Sequence, residues 1–436
     1  MLKRQIVVML IGFLFVFNAL SCRWSRIENA NRTGIRHPAL KMLPVPEGLG
    51  VNIHFYKGNA NDLNMMTEAG IGIVRMDVLW SEVEKEPGKY NFSNLDQLIS
   101  DLESRGMRLL FILCYGNALY DEGLAPYSEK GRAAFARFAA ALAKRYAGKN
   151  IIWELWNEPN ADRFWQPKSN VDDYMAWCKA VVPAIRAVDA QACIVGPASN
   201  LDFAFLESCF KQGLLDLVDG VTVHPYRSLS APETAIAEYY NLKLFIDQYR
   251  PRWKDIPILS GEWGYSSTKI SREFQGKYLP RQWLFNLSAG VPISIWYDWH
   301  DDGQDPYESE HNYGTVTWDY KPKPSYIAMS TLISQLRGFV ARERLGVVNV
   351  HDFVIPFVRG KQVKLAIWTT AKVHKFDLGT DLKISQAVDY LGQPVEKSKI
   401  MFANEPVYLT LASPLPSWLQ MIVFANDSDK SPFILD

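Results

Sequence analysis

The 436-residue chain has no surplus of charge, since Lys and Arg number 47 and so do Asp and Glu. With neither a basic stripe nor an acidic tail, nucleic acid is not an expected partner. Cysteine is scarce at 5 residues and histidine at 7. There is no CxxC and no histidine pair near a cysteine, which excludes the common zinc patterns. Charged residues stop at 22% against 48% hydrophobic, so a disordered chain is excluded as well. Acidic residues do gather at Asp301, Asp302, Asp305, Glu308 and Glu310. Their spacing is not that of an EF-hand, and they read better as a solvated loop over a cleft than as a calcium site. No metal and no cofactor are expected.

The N-terminus lacks length rather than hydrophobicity. Lys3 and Arg4 precede an apolar run, Ile6 to Phe17, that is too short to span a bilayer. Ala19 and Ser21 supply small residues for cleavage, and Ala-Leu-Ser-Cys, ending at Cys22, resembles a bacterial lipobox. Plain signal-peptidase cleavage near the same point is the other reading. Residues 1–22 are thus expected to be a signal peptide with a possible lipid anchor at Cys22. The chain would then be exported, as a cell-envelope lipoprotein or as a periplasmic or secreted protein. In such a compartment Cys114, Cys178, Cys193 and Cys209 can form bridges or stay free and buried. Residues 23–45 read as an exposed arm.

Aromatic residues are plentiful at 13%, with 14 Trp. Most must fill cores, and the excess suits a protein that stacks on sugar rings. Eight apolar runs alternate with amphipathic stretches. They are GVNIHF (50–55), IGIVRMDV (71–78), RLLFILCY (108–115), IIWELWN (151–157), ACIVGPA (192–198), GVTVHPY (220–226), IPILSGEW (256–263) and ISIWYDW (293–299). Near-continuous apolar strands alternating with helices predict a (β/α)8 barrel over residues 46–337. Beyond it, short alternating strands such as DFVIPFVRG and QVKLAIWTT predict an antiparallel β-sandwich over 338–428.

In such a barrel the active site lies where the strands end. The polar residues at those ends are His54, Arg75 with Asp77, Asn157 with Glu158, His224 with Tyr226, Glu262, and Trp296, Tyr297 and Asp298. Glu158 and Glu262, on the fourth and seventh strands, would face each other across the mouth. Cleaving a glycosidic bond needs such a pair, one acid to protonate the leaving oxygen and one to attack or to activate water. In WELWNEPN (153–160), Pro159 would end the strand and expose Glu158 on the rim.

WELWNEPN together with PILSGEWG resembles the strand-four and strand-seven signature of the retaining glycoside hydrolases of clan A. VRMDVLWSEVEKEPGKYNF (74–92), LLFILCYGNALYDEG (109–123) and YGTVTWDYKPKPSYIAM (313–329) resemble glycoside hydrolase family 39, especially its Psl-type biofilm-exopolysaccharide endoglycosidases. The resemblance implies that Glu158 is the acid/base and Glu262 the nucleophile. It further implies that Asn157 binds the sugar 2-hydroxyl, that Tyr226 sits against Glu262 and that Trp296 floors the sugar. Arg75 would keep Glu262 ionised, or neutralise Asp77 or Glu154, and Glu154 reads as a paired interior acid. His54 and His224 could be ligands for sugar or buried rings bonded to backbone. Tyr115 and Trp263, with Trp80 and Trp299, are possible sugar platforms. The implied activity is a retaining hydrolase of β-linked polysaccharide, endo-acting and monomeric. An exo-acting β-xylosidase-like enzyme and an idle carbohydrate-binding lipoprotein remain the alternatives.

Overall fold

The computed structural model describes residues 34–378 and 382–424. The signal-peptide and Cys22 readings therefore lie outside the described residues. Eight parallel strands close into a barrel: β1 (Leu49–Asn52), β2 (Ile73–Leu79), β3 (Arg108–Cys114), β4 (Ile152–Leu155), β5 (Cys193–Asn200), β6 (Gly220–His224), β7 (Ile258–Trp263) and β8 (Ser294–Trp296). Closure is made at β1, where Gly50 pairs with Ile73 on one side and with Ile295 on the other. One principal helix follows each strand, α1 (Ala60–Ala69), α2 (Ser93–Glu103), α3 (Glu129–Arg145), α4 (Val171–Val188), α5 (Phe203–Lys211), α6 (Ile236–Tyr249), α7 (Arg272–Ser288) and α8 (Pro324–Leu336). The helix starts follow local chemistry. Asn59 and Asp62 form a reciprocal capping box at α1, which ends on Gly70 in the left-handed conformation (φ 77°). Ser128 and Asn170 cap α3 and α4.

The described part of the segment expected to be an exposed arm packs against the barrel instead. Leu40 and Val45 are buried, Arg108 donates to the carbonyls of Ala39 and Glu47, and Arg36 pairs with Asp255 at 2.9 Å. Apolar Leu40 meets the β6 end of the barrel interior, where a Cβ on Gly220 would lie 2.9 Å from its Cδ1.

The C-terminal domain has a five-stranded antiparallel sheet. Its strands are β9 (Val340–Ala341), β10 (Asp352–Arg359), β11 (Gln362–Thr369), β13 (Ile384–Asp389) and β15 (Val407–Leu411), in the order β9-β10-β11-β15-β13. A second small sheet joins β12 (His374–Lys375) to β14 (Met401–Phe402). Alternation along each strand gives the large sheet two apolar faces. Phe353, Ile355, Phe357, Ala366, Trp368 and Tyr408 extend the barrel's core. Val354, Val358, Leu365, Ile367 and Leu409 build a second core with Phe402 and Leu419. Arg281 of α7 joins the two domains. It forms a bidentate pair with Glu233 (2.6 and 2.7 Å) and reaches Asn404 Oδ1 at 2.8 Å, while Trp368 Nε1 donates to the same Glu233 at 2.7 Å. All four remaining cysteines are free and buried. No helix among the described residues is long and apolar enough to cross a membrane.

Candidate active site

The mouth of the barrel holds a cavity of about 380 Å³. Its floor is organised by Arg75, whose side chain is 1% exposed. Facing inward from β2, the guanidinium donates to Glu154 (2.7 Å), Asn52 (3.0 Å), Glu262 (2.6 Å) and Asn157 (2.9 Å). Glu154 is thus the paired interior acid expected. It sits so close to β7 that a Cβ on Gly261 would fall 2.9 Å from its Oε1, so a larger residue before Glu262 would press on the carboxylate that Arg75 holds.

Glu262 takes a second strong donor, the hydroxyl of Tyr226 at 2.7 Å. Burial works to raise its pKa, but the charge of Arg75 and the hydrogen bonds from Tyr226 and Arg75 outweigh that and hold it below the usual range. His224, buried at β6, has Nδ1 3.0 Å from Glu158 Oε1 and Nε2 3.3 Å from Arg75 Nη2. Arginine can only donate, so Nε2 accepts and Nδ1–H points to Glu158. One carboxylate oxygen of Glu158, one of Glu262 and the ring nitrogen of His224 all lie within 4.8 Å of one another.

Glu158 reaches this position by a backbone route that differs from the expected one. β4 ends at Leu155, before Pro159, and both Trp156 (φ 70°) and Glu158 (φ 44°) adopt the left-handed region. Such conformations cost about 1–3 kcal/mol each and persist where the surroundings impose them. Here Glu158 N–H bonds Ala198 O at 2.9 Å and Trp156 Nε1 bonds Phe164 O. The carboxylate is correspondingly 8% exposed and not a solvated rim group.

His54, Arg75, Tyr115, Asn157, Glu158, Tyr226 and Glu262 all line the cavity. His224 stands behind them, touching both acids. Trp263 and Trp296 do not reach the cavity, for both are wholly buried elsewhere. A register shift in β7 is the reason: Ser260 pairs with Ser294 and Trp263 with Trp296, so the extra residue between them lets Gly261 and Glu262 both face the interior while Trp263 turns to the helices. On β8, Ser294 bonds Asn286 of α7, which turns Trp296 outward and Tyr297 inward. Asp77 and Tyr297, named among the strand-end residues, and Glu310 of the loop expected over a cleft line it too, together with Arg163, Lys269 and Tyr313. Arg163, 3.5 Å from Glu158, and Lys269 lie on irregular loops with no readable pattern.

At the β1–β8 edge, His54 Nε2 is 3.5 Å from Asp298. Burial would lower the imidazole, but the hydrogen bond and charge of Asp298, with Asp302 and Asp77, push it up to about 9. Burial pushes Asp298 up to about 7, against the pull of His54. Three described groups have metal-ligand spacing, and their donors are already engaged. In the His54–Asp298–Asp302 group the imidazole is paired with Asp298. Arg75 supplies the positive charge beside Glu158, His224 and Glu262. In the third, His37 accepts from Ala39 N–H and Asp219 is held by Arg186. In the acidic loop, Asp301 is buried against Lys323 at 2.5 Å.

Residues 43–303, more than half of the chain, match the sequence model of Cellulase (glycosyl hydrolase family 5). A solved family 39 glycoside hydrolase from the gut symbiont Bacteroides cellulosilyticus WH2 is 27% identical, with a TM-score of 0.74 over 84% of this chain and 81% of that one. Endoglucanase A of Butyrivibrio fibrisolvens is 26% identical over 35% of this chain and 35% of its own length. Beta-xylosidase of Geobacillus stearothermophilus is 26% identical over 41% of this chain and 39% of its own. The chain thus spans under half the length of these two curated relatives. The resemblance to family 39 is supported by the solved Bacteroides cellulosilyticus structure.

Proposed function

The chain belongs to the cellulase family, glycosyl hydrolase family 5, and we propose that it is a retaining β-glycosidase in which Glu262 is the nucleophile and Glu158 the acid/base. One observation carries this reading: carboxylate oxygens of Glu158 and Glu262 lie within 4.8 Å of each other on the cavity floor. Retaining enzymes hold the two groups about 5–5.5 Å apart, whereas inverting ones leave about 6.5–9.5 Å for a water between them. In the first step Glu262 bonds to the anomeric carbon, the glycosidic C–O bond breaks, and Glu158 gives its proton to the leaving oxygen. In the second, water attacks that carbon, Glu158 takes its proton, and the ester to Glu262 breaks. The role of Glu262 is supported by its environment, for Arg75 and Tyr226 each bond one of its oxygens and stabilise its charge, whereas Glu158 takes no bond from Arg75.

The substrate we infer is a polysaccharide cut internally, of the exopolysaccharide kind suggested by the Psl-type resemblance. Exposed aromatic side chains stand in the segments that follow two of the barrel strands, Tyr127 after β3, and Tyr307 and Trp318 after β8, and would offer stacking surfaces to a chain longer than one sugar. Proton NMR of the first product from a polysaccharide panel tests both readings. Retained configuration with early oligosaccharides supports them. Inverted product overturns the role assignment, and monosaccharide released steadily from chain ends overturns endo action in favour of a β-xylosidase-like pocket. Export, with lipid on Cys22, is part of the same proposal, and membrane fractionation of wild type and Cys22→Ala tests it.

A further inference from the structure

Asp77 lines the same cavity, and neither step above uses it. It follows Arg75 by two residues on β2, so both side chains face the barrel axis, with Asp77 about 6.6 Å further along the strand toward the mouth. Among the described residues its carboxylate receives one hydrogen bond, from Cys114 Sγ at 3.5 Å, and a thiol is a weak donor. Arg75 has no share for it, being divided among Asn52, Glu154, Asn157 and Glu262. His54 is turned to Asp298. An ionised carboxylate has room for about four hydrogen bonds, so most of the accepting capacity of Asp77 is unused. Glu262, by contrast, has a strong donor on each oxygen.

The unused capacity faces a particular part of the ligand. With its anomeric carbon between Glu158 of β4 and Glu262 of β7, and Asn157 beside the 2-hydroxyl, a sugar ring directs its far side, the 3- and 4-hydroxyls and the neighbouring substituent on carbon 5, toward the β1–β2 wall. Asp298 and Asp302 lie behind His54 on that side, and add negative charge. Hydroxyl donors satisfy such a wall, and a carboxylate substituent is repelled by it.

We propose that Asp77 is a specificity-determining residue that accepts hydrogen bonds from the 3- and 4-hydroxyls of a neutral sugar at the cleavage point and rejects uronic acids there. The inference rests on the glycosidase reading. Its test uses 2,4-dinitrophenyl β-glycosides of xylose, glucose, mannose and glucuronic acid, with 3-deoxy and 4-deoxy forms of the best neutral sugar. Wild type, Asp77→Asn and Asp77→Ala are compared, with thermal melting as the check on folding. Wild type should turn over neutral glycosides and not the glucuronide. Asp77→Ala should lose roughly 10- to 100-fold in kcat/KM on the full sugar, the scale of a hydrogen bond to a charged group, and far less on the deoxy sugar. Asp77→Asn, which keeps the shape, should shrink the bias against the glucuronide, and it carries the test if Asp77→Ala does not fold. Equal losses on full and deoxy sugars, or glucuronide turnover by wild type, would overturn the proposal while leaving the glycosidase reading standing. A wild type that hydrolyses none of the glycosides sinks both.

Discussion

Arg75 and Arg281 are each 1% exposed and each is bonded to a glutamate at 2.6–2.7 Å, yet they serve opposite ends. Arg281 gives Nε and Nη2 to the two oxygens of one partner, Glu233, and Nη1 to Asn404, while Trp368 adds a further donor to Glu233. That cluster is closed on itself, and it sits where the barrel meets the β-sandwich. Arg75 divides its donors, one bond to Glu154 and one to Glu262, and leaves the other oxygen of Glu262 to Tyr226 in an open cavity. Burial and pairing are thus shared by a fastening and by a reactive centre. What separates them is whether the carboxylate keeps a side open to a ligand.

Breaking the open cluster should have the largest effect. Glu262→Ala is expected to lose roughly 10⁴–10⁶-fold in kcat, the scale of a lost covalent nucleophile, with its melting curve little changed. Azide should then yield an inverted glycosyl azide. Glu158→Ala should lose roughly 10²–10⁴-fold on substrates with poor leaving groups, and with a dinitrophenyl glycoside azide should restore turnover with retained configuration. Reversed azide products from the two variants would swap the roles. The closed cluster should answer differently. Arg281→Met leaves Glu233 buried and unpaired, a loss of about 3–5 kcal/mol in urea unfolding, with kcat unchanged wherever the protein is folded. A fall in kcat there would erase the distinction between the two arginines.

The smallest effect concerns His54, at the edge of the open cluster. Its pKa is raised to about 9 in the fold, so its contribution is complete below its unfolded value of about 6.5 and vanishes as pH rises through about 9. The side chain is 41% exposed, which with solvent screening limits the gain to under about 1 kcal/mol. Unfolding of wild type and His54→Gln at about pH 6 and about pH 10 should show the larger difference at the lower pH.

The eight barrel strands were readable because strands buried on both faces must be apolar throughout. That same uniformity conceals which side chains face the axis. Trp263 and Trp296 have the composition of sugar platforms, but a register shift in β7 turns Glu262 inward and sends Trp263 to the helix layer. On β8 the parity depends on Ser294 meeting Asn286, a contact between separate elements that no local pattern reveals. Pro159 suggested a strand end, whereas the turn begins earlier, at Trp156, because the β4–α4 loop and Ala198 hold the backbone there. Leu40 gave no periodic signal, since a single apolar residue near the barrel interior needs none. β9 and β14, two residues each, are too short for alternation to register.

The loop after β8 is fastened at its base by Lys323, which bonds Asp301 and the carbonyl of Gly314, while Asn312 ties the carbonyls of Asp305 and Glu308. Its outer part carries Tyr307, 90% exposed, and presents Ser309, Glu310 and Tyr313 to the cavity. Lys323 and Asp301 make no bond to either glutamate of the floor. Exchanging the residues between about 303 and 310 would therefore change what the mouth admits without rebuilding the groups beneath it. For descent or for engineering, this segment is a replaceable part on a fixed mount, and new substrate preferences in this fold can accumulate there one loop at a time.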